Sequence, residues 1–499
     1  MRSTFSRRTL LSGAAAAATL AALTACTGSS GSARVLPSDR RIQKTKDARP
    51  STGKTVPVEL TAGSIAATVA GRHLSTWGYN GALIAPTVRA NVGDQIEARI
   101  TNRLAEPTSI HWHGISLRNN ADGVPGLTQT AIAAGGTKQT VFKLSAPGTY
   151  WYHSHVEMQR ERALYGALIV DDPEEPLAYD QEWVIILDDW IDGFAGTPDS
   201  IVKELSQGMS MSGMQGMNMS GSSMLMNSKS AYLGGDAGDV KVPVHLINGR
   251  SNSDPDRLIT KMGNRVRLRL INAAGDTAYR VGIPHRRLRL THTDGFPIEH
   301  RDVDAVVIGM GERIDALVTV NDAIAALLAL PEGKTGSVFA VMSTGSVSNS
   351  TRLAAPSRLG PDVTDGGRLN AAPSALLRNT AVDRTHDLRL TGSMSKYGWG
   401  INGRTFNLSD PFGEAFEIRA GERVRINFIN ETTMWHPMHL HGHTFQVGKR
   451  GPRKDTIIVR PKQRVTVDFD ADNPGQWLAH CHNAYHAERG MMGVFSYVT

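Results

Sequence analysis

Cysteine is nearly absent from this chain, with only 2 among 499 residues. Cys26 lies in an N-terminal stretch that has the composition of a leader, and Cys481 lies close to the C-terminus. If Cys26 carries a lipid, as argued below, no disulfide can form within one chain, which excludes a disulfide-stabilised scaffold. Cys481 is therefore available for other chemistry, and it is flanked by His480 and His482.

A long uninterrupted apolar run is also missing. The N-terminal small-residue segment "SGAAAAATLAAL" is too short and too rich in alanine for a membrane span. The pair Arg7-Arg8 in "SRRTLL" precedes this segment, which is typical of a twin-arginine export signal. "LTAC" at 23–26 resembles the lipobox of bacterial lipoproteins, in which the cysteine becomes the lipid-bearing first residue. We therefore expect residues 1–25 to be a signal peptide and Cys26 to be lipidated; a plain signal peptide cleaved nearby is the alternative.

The body of the chain has no excess of charge of either sign. The formal net charge is +7, but basic and acidic residues balance from residue 51 onwards. The surplus lies in the leader and in residues 27–50, where a basic linker would be solvated beside an anionic membrane surface. No phosphate-binding loop and no nucleic-acid motif is present in the sequence, so nucleic acid is not an expected partner.

Alternating apolar and polar residues bounded by Gly, Pro and Asn indicate β-strands along most of the chain. "RVRLRLINAAG" at 265–275 and "RVRINFINETT" at 423–433 are nearly the same phrase, and "VGDQIEARITN" at 92–102 is a weaker third copy. We therefore predict an all-β protein of three similar domains. The predicted boundaries are 51–172, 173–350 and 385–499, with linkers at 26–50 and 351–384.

One segment of the second domain has an unusual composition. Residues 207–226, "QGMSMSGMQGMNMSGSSMLM", hold 7 of the 17 methionines among Gly, Ser, Asn and Gln. Nothing in this composition favours a packed core or a regular helix, so we predict a methionine-rich loop.

Ten of the 17 histidines fall in four short motifs. These motifs are "HWHG" at 111–114, "HSH" at 153–155, "HPMHLH" at 436–441 and "HCHNAYH" at 480–486. Residues two apart on a strand point to the same face, so each His-x-His pair can present two imidazoles to one metal or to neighbouring metals. One such pair is a weak signal, but four clusters indicate metal sites.

The stretch "HCH" adds geometric information. If it is a strand, His480 and His482 face one way and Cys481 faces the other way. The thiolate and the two imidazoles then cannot bind the same ion, which predicts two metal centres on the order of 10 Å apart, joined through consecutive residues.

The metal on the cysteine face is predicted to be copper. His486 follows Cys481 closely, Met491 lies just beyond it, and His436 has no partner at its own spacing upstream. A thiolate, two imidazoles and a weak thioether form the ligand set of a blue-copper electron-transfer centre. Zinc is the competitor, but structural zinc sites rarely use methionine and typically have more thiolates.

The four motifs, in this order, resemble those of the multicopper oxidases, the family of laccases, ascorbate oxidase and bacterial cuprous oxidases. The resemblance covers residues from about 55 to the C-terminus and implies three cupredoxin-like Greek-key β-sandwich domains. It also implies one type 1, one type 2 and a pair of type 3 coppers. The implied ligands are His436, Cys481, His486 and Met491 for type 1, and His111 and His439 for type 2. Those for type 3 are His113, His153 and His482 on one copper, and His155, His441 and His480 on the other. No ligand of the set is missing.

The resemblance further implies an enzyme that takes electrons singly from a substrate near His436. The electrons would cross through Cys481 to a trinuclear cluster that reduces O₂ to water. Asp122 in "RNNADG" lies where family members carry an acid close to the cluster, so we expect it to donate protons; a structural residue of an Asp-Gly turn is the alternative. Some relatives have a second acid directly after the last type 1 histidine, but this chain has Ala487 there and Glu488 next.

Two features favour Cu(I) as the substrate. Thioethers are soft ligands that select Cu(I), and the loop resembles the methionine-rich inserts of bacterial cuprous oxidases. Met434 lies two residues before His436, where such enzymes can place a methionine, although Thr432 replaces the acid that they may carry. Packing beside Trp435 is the alternative role for Met434. The candidate Cu(I)-binding residues are Met434 and the loop methionines Met209, Met211, Met214, Met217, Met219, Met224 and Met226.

The sequence thus predicts an exported oxidase on the outer, periplasmic face of the membrane, held there by a lipid on Cys26. Its expected partners are O₂ and either Cu(I) or a small aromatic reductant. Two other interpretations stay open at this point: a laccase-like oxidase of phenols and aromatic amines, and a copper-binding envelope protein without turnover.

Overall fold

The computed structural model describes residues 33–208, 224–225, 228–345 and 358–499, in which strands dominate. Within these ranges the α-helices are α1 (Arg40–Asp47), α2 (Pro198–Leu205) and α3 (Ala484–Glu488). None of them is long and apolar enough to cross a bilayer. The predicted signal peptide and Cys26 lie outside the described residues.

The first β-sandwich consists of β1 (Thr55–Val69), β2 (Arg72–Tyr79), β3 (Val88–Asn91), β4 (Gln95–Asn102), β5 (His111–His113), β6 (Thr137–Lys143), β7 (Gly148–His153) and β8 (Tyr165–Asp171). Its two sheets have the strand orders β2-β1-β4-β6 and β3-β8-β7-β5. Burial alternates along β4, whereas β8 is buried over nearly its whole length. This difference indicates that the second sheet is covered on both faces.

The second β-sandwich begins with β9 (Gln181–Trp190), the hairpin β10 (Lys229–Ser230) and β11 (Gly235–Asp236), β12 (Val244–Ile247), β13 (Arg257–Ile259) and β14 (Arg265–Asn272). It continues with β15 (Tyr279–Gly282), β16 (Leu288–Thr293), β17 (Phe296–Val303), β18 (Ala305–Ile308), β19 (Arg313–Thr319), β20 (Ile324–Pro331), β21 (Val338–Ser343) and β22 (Val363–Asp365). Its sheets run β12-β9-β14-β19-β16-β17 and β13-β21-β20-β15-β18-β22. Because β22 pairs with β18, part of the predicted 351–384 linker extends this sandwich.

The third β-sandwich begins with β23 (Arg384–Ser393), β24 (Gly398–Ile401), β25 (Phe416–Ile418), β26 (Arg423–Asn430), β27 (His436–Leu440) and β28 (Phe445–Val447). It ends with β29 (Arg453–Lys454), β30 (Thr456–Val459), β31 (Arg464–Asp470), β32 (Gln476–Cys481) and β33 (Met492–Tyr497). Its sheets run β24-β23-β26-β31-β28-β29 and β25-β33-β32-β27-β30. The sandwiches follow the predicted domain order, and the boundary residues stay a prediction.

The three repeated phrases form equivalent strands. Each of β4, β14 and β26 pairs in parallel with the first strand of its sandwich and antiparallel with a later one. Each ends at an asparagine whose Oδ1 accepts the backbone N–H two residues later, in Asn102, Asn272 and Asn430. In the third copy, the Nδ2 of Asn430 also donates to the carbonyl of Met434 at 2.7 Å. The repeat therefore fixes the loop that leads into β27.

Residues 34–49, predicted as part of a linker, pack against the third sandwich. The backbone N–H of Val35 donates to the carbonyl of Tyr497 at 2.8 Å, and Ile42 of α1 is buried in the core of that sandwich. The Arg49 guanidinium donates to the Oδ1 of Asn473 at 3.0 Å. This stretch is thus an ordered strap along the last strand of the chain.

Candidate copper sites

Two pairs of neighbouring strands carry the histidine motifs. In the first sandwich β5 pairs with β7, which places His111 opposite His153. In the third sandwich β27 pairs with β32, which places His439 opposite His480. Along β5, Trp112 points to the other side and packs against Phe142 and Tyr152. The strand period therefore aims the histidines away from the sandwich core.

Eight histidines from the two ends of the chain form one buried group, which we call the histidine cluster: His111, His113, His153, His155, His439, His441, His480 and His482. The rings of His111 and His441 stack with centroids 3.9 Å apart, and those of His113 and His439 stack at 3.8 Å. His155 and His480 meet edge to face at 5.3 Å. The cluster thus lies between the first and third sandwiches.

The ring nitrogens of this cluster show that it fits metal ions. The Nδ1 atoms of His111, His153 and His439 each face a backbone carbonyl at 2.9 Å, which places the proton on Nδ1. Their Nε2 atoms are buried and have no hydrogen-bond partner among the described residues. Buried imidazole lone pairs without partners are what a metal site requires.

The ring nitrogens of His441 and His480 also indicate a metal site. The Nδ1 of His441 faces the Oδ2 of Asp122 at 2.9 Å, and that of His480 faces the carbonyl of Cys481 at 2.8 Å. Burial, followed by the neighbouring histidines, holds the pKa of both rings well below the ordinary value. The two Nε2 atoms therefore present lone pairs to each other at 3.1 Å, an arrangement that a bound cation stabilises.

Cys481 belongs to a separate group, as the strand alternation predicts. Its Sγ lies 3.5 Å from the Nδ1 of His486 and 3.7 Å from the Nδ1 of His436, and these two Nδ1 atoms are 3.0 Å apart. Met491 is buried in the same core, and its carbonyl accepts the backbone N–H of Cys481 at 3.0 Å. A thiolate and two imidazoles with a methionine beside them match the chemistry of a blue-copper site.

The outer edges of the two imidazoles in this group have different partners. The Nε2 of His436 faces the hydroxyl of Thr432 at 2.8 Å, whereas the Nε2 of His486 donates to the Oδ2 of Asp239 at 3.0 Å. Burial alone lowers the pKa of His486, but the Asp239 carboxylate and, after it, the Cys481 sulfur outweigh burial and raise that pKa to about 10. Asp239 also accepts a hydrogen bond from the hydroxyl of Tyr397.

Asp122, predicted as the proton donor, is fully buried against the histidine cluster. Besides the contact of its Oδ2 with His441, its carbonyl accepts the Nδ1–H of His111. Its Oδ1 has no hydrogen-bond partner among the described residues. Glu488, by contrast, is at the surface and lines a small cavity of about 80 Å³ that reaches His153, His155 and His480.

Several contacts of the cluster were missed by sequence reasoning. Asp455 is buried between His113 and His439, and Arg313 of β19 pairs with it through two hydrogen bonds of 2.7 and 2.6 Å. Arg160 donates to the carbonyl of His482 at 2.8 Å. No local spacing signals these residues, because the partners His113, Arg313 and His482 lie 342, 142 and 322 positions away, and His439 lies 16 positions from Asp455, beyond any strand period.

The predicted Cu(I)-binding methionines are only partly described. Met434 is 1% exposed and packs in the core of the third sandwich, so a direct part in Cu(I) binding stays a prediction. Met224 is half-buried against the same core. The other predicted residues, Met209, Met211, Met214, Met217, Met219 and Met226, lie outside the described residues.

Comparison with known proteins identifies the class. Sequence models described as multicopper oxidase match residues 61–175, 181–344 and 379–499, one for each sandwich. The chain belongs to the multicopper oxidase family, whose members are oxidoreductases that use copper and O₂. The sandwiches are accordingly cupredoxin-like domains, and the chain uses four coppers of types 1, 2 and 3.

Named relatives refine this picture. The multicopper oxidase MmcO of Mycobacterium tuberculosis is 42% identical over 99% of this chain and 97% of its own length. Copper resistance protein A of Escherichia coli is 28% identical over 87% of this chain and 91% of its own. The crystal structure of the laccase from Botrytis aclada matches with a TM-score of 0.71 at 25% identity, covering 95% of this chain and 93% of that one.

Proposed function

We propose that this protein is a cuprous oxidase of the cell envelope, which oxidises Cu(I) to Cu(II) and thereby limits copper toxicity while O₂ is reduced to water. The proposed ligands are His436, Cys481, His486 and Met491 for type 1 copper, His111 and His439 for type 2, His113, His153 and His482 for one type 3 copper, and His155, His441 and His480 for the other. The coppers supply one-electron storage and the O₂ chemistry.

The observation that carries this proposal is where the methionine-rich segment starts and ends. At its start, Gly208 lies against the backbone of Ser395, two residues before Tyr397. At its end, the backbone N–H of Leu225 donates to the carbonyl of Asp239 at 2.7 Å. Tyr397 and Asp239 are hydrogen-bonded to each other, and Asp239 accepts from His486. Both ends of the segment therefore converge on the edge of a proposed type 1 ligand.

The chain's own residues have separable roles in this scheme. Asp239 fixes the ring of His486 through Nε2, which leaves Nδ1 to face Cys481 and His436. His480 and His482, one residue to either side of Cys481, connect the two sites through the backbone at the end of β32. The carboxyl group of Asp122 lies beside His441, and we assign to it the transfer of protons to oxygen as the oxygen is reduced. Burial of the cluster restricts the access of water to the small cavity that reaches His153, His155 and His480.

The test replaces Met209, Met211, Met214, Met217 and Met219 together by leucine, which has similar volume but no thioether. We expect kcat/KM for Cu(I) to fall about 10-fold or more, because soft ligands concentrate Cu(I) near the entry site. Oxygen consumption with a phenol should stay within about twofold. As a matched control, the serines at 210, 212, 220, 222 and 223 are changed to alanine. Unchanged Cu(I) turnover in the leucine variant would contradict the proposal.

A laccase-like oxidation of aromatic reductants is the second candidate, supported by a groove beside Thr432. Thr432, Thr433, Asp236 and Pro461 line this open groove, whose volume of about 630 Å³ accommodates an aromatic ring. Its floor lies next to the loop that leads to His436. Phenol turnover with no Cu(I)-dependent oxygen uptake would favour this function over the first.

We also propose that the chain is exported by the twin-arginine route and held at the membrane by a lipid on Cys26. The supporting features are the sequence signals "SRRTLL" and "LTAC". Cys26→Ser should release the protein from the membrane fraction, and replacing Arg7 and Arg8 by lysine should block export. Fatty-acid labelling of the wild type that persists in Cys26→Ser would contradict the lipidation site.

A further inference from the structure

The middle domain reaches the histidine cluster through one charged side chain. Among the described residues it contributes no imidazole to the cluster, yet Arg313 extends from β19 to its edge and is fully buried. Arg313 donates to both carboxylate oxygens of Asp455 and, through Nε, to the carbonyl of Thr149 at 3.1 Å. One guanidinium thus joins the first, second and third domains.

Asp455 in turn contacts two proposed copper ligands, His113 and His439. Its Oδ1 lies 3.1 Å from the Nε2 of His113 and 3.3 Å from the Nδ1 of His439. Its carbonyl lies 2.9 Å from the same Nδ1 of His439. The rings of His113 and His439 stack in near-parallel planes at 14°. The orientation of both rings therefore depends on where the Asp455 carboxylate is held.

Gly114 shows that the local sequence accommodates this ion pair. It follows His113 with a φ of +85°, a conformation that favours glycine. A Cβ at this position would lie 2.4 Å from Nη2 of Arg313 and 2.8 Å from Oδ2 of Asp455. The last residue of the "HWHG" motif therefore leaves room for the Arg313–Asp455 pair.

We propose that Arg313 is a positioning residue for the proposed type 2 copper, acting through Asp455 on its ligand His439, which stacks on the proposed type 3 ligand His113. Its planar fork fixes both carboxylate oxygens, which a lysine with one ammonium group cannot do. Copper retention at the cluster then depends on the middle domain, although none of the described residues of that domain is a proposed ligand. The inference rests on the ligand assignment proposed above.

The test measures copper per chain and the type 2 electron paramagnetic resonance (EPR) signal in Arg313→Lys and in Asp455→Asn. Loss of orienting contacts around metal ligands typically weakens metal binding about 10- to 100-fold, so we expect type 2 copper to be lost during dialysis against a chelator. The blue absorption should persist, because neither residue contacts His436, Cys481 or His486. If Arg313→Lys does not fold, Asp455→Asn carries the test.

Arg267→Lys is the matched control. Arg267 is equally buried in the middle domain and pairs with Asp315 through two hydrogen bonds, but none of its hydrogen bonds reaches the histidine cluster. It should lose thermal stability and keep all type 2 copper. The proposal fails if Arg313→Lys also keeps its type 2 copper. His439→Ala distinguishes a failure of the ligand assignment from a failure of the role proposed for Arg313. Type 2 copper retained in that variant would overturn the ligand assignment itself.

Discussion

His486 donates its Nε2–H to the Oδ2 of Asp239 across 3.0 Å, which joins the third domain to the middle domain at the cysteine-containing site. Asp239 is fully buried, and its second partner, Tyr397, comes from the third domain. The imidazole of His486 is therefore held by a carboxylate, whereas that of His436 is held by the hydroxyl of Thr432.

The first prediction follows from the charge of this carboxylate. Asp239→Asn keeps the volume and a hydrogen-bond acceptor but removes a negative charge beside a proposed copper ligand. A nearby negative charge stabilises the more positive, oxidised copper, so the type 1 reduction potential should rise. Redox titration of the blue absorption measures this reduction potential. Thr432→Val, which removes a neutral contact on the opposite ligand, is the control and should change the potential less.

The Asp239–His486 pair also predicts how the stability of the copper-free protein depends on pH. The folded-state pKa of His486 is raised to about 10, above the ordinary 6.5, so the pair stabilises the folded state fully below pH 6.5. This stabilisation is lost as the pH rises towards 10. The difference in Tm between the copper-free wild type and Asp239→Asn should therefore shrink over that window. A difference that does not change with pH would contradict the raised pKa.

Cys481→Ser should remove the blue absorption and turnover but leave the histidine cluster intact. The hydroxyl is a poor copper ligand compared with a thiolate, whereas His480 in β32 and His482 directly after it keep their positions. Copper analysis should therefore show the loss of one of the four coppers and a persistent type 2 EPR signal. Loss of all copper would mean that Cys481 also holds the cluster together.

Asp122→Asn should slow the reoxidation of the reduced enzyme by O₂ about 100-fold or more, because a proton donor is removed from the cluster. Reduction of type 1 copper by substrate should be unchanged, since Asp122 contacts only His111 and His441 among the ligands. Stopped-flow absorbance separates the two half-reactions. Asp122→Glu, which keeps the acid, should restore part of the rate. Equal slowing of both half-reactions would indicate a structural role.

The repeated asparagines provide a matched pair of variants. Asn430→Ala and Asn102→Ala should each lower the free energy of unfolding by about 1–3 kcal/mol, because buried carbonyl and N–H groups lose their partners. Only Asn430→Ala should alter the blue absorption, since its Nδ2 holds the loop that carries Met434 towards His436. Chemical denaturation and visible spectra are the measurements. An unaltered spectrum in Asn430→Ala would show that the loop is fixed by other contacts.

Local patterns explain which features were predictable from the sequence. The strand period placed Cys481 and His480 on opposite faces, and the repeated phrases placed β4, β14 and β26 at equivalent positions. These features depend on neighbours within a few residues. Asp455, Arg313 and Asp239 were not predictable, because the domain packing that gives them partners has no local period. The strap at residues 34–49 was missed for the same reason: among the side chains of α1 that the structure describes, only Ile42 is buried.

The two contacts of the middle domain have a mechanical consequence. Asp239 contacts His486, and Arg313 contacts Asp455 beside His113 and His439, so the middle domain contacts both proposed copper sites. A small tilt of the middle domain would therefore disturb both proposed copper sites together. The two proposed copper sites thus depend on the position of the same domain, so a domain movement that changes the geometry of one site also changes that of the other.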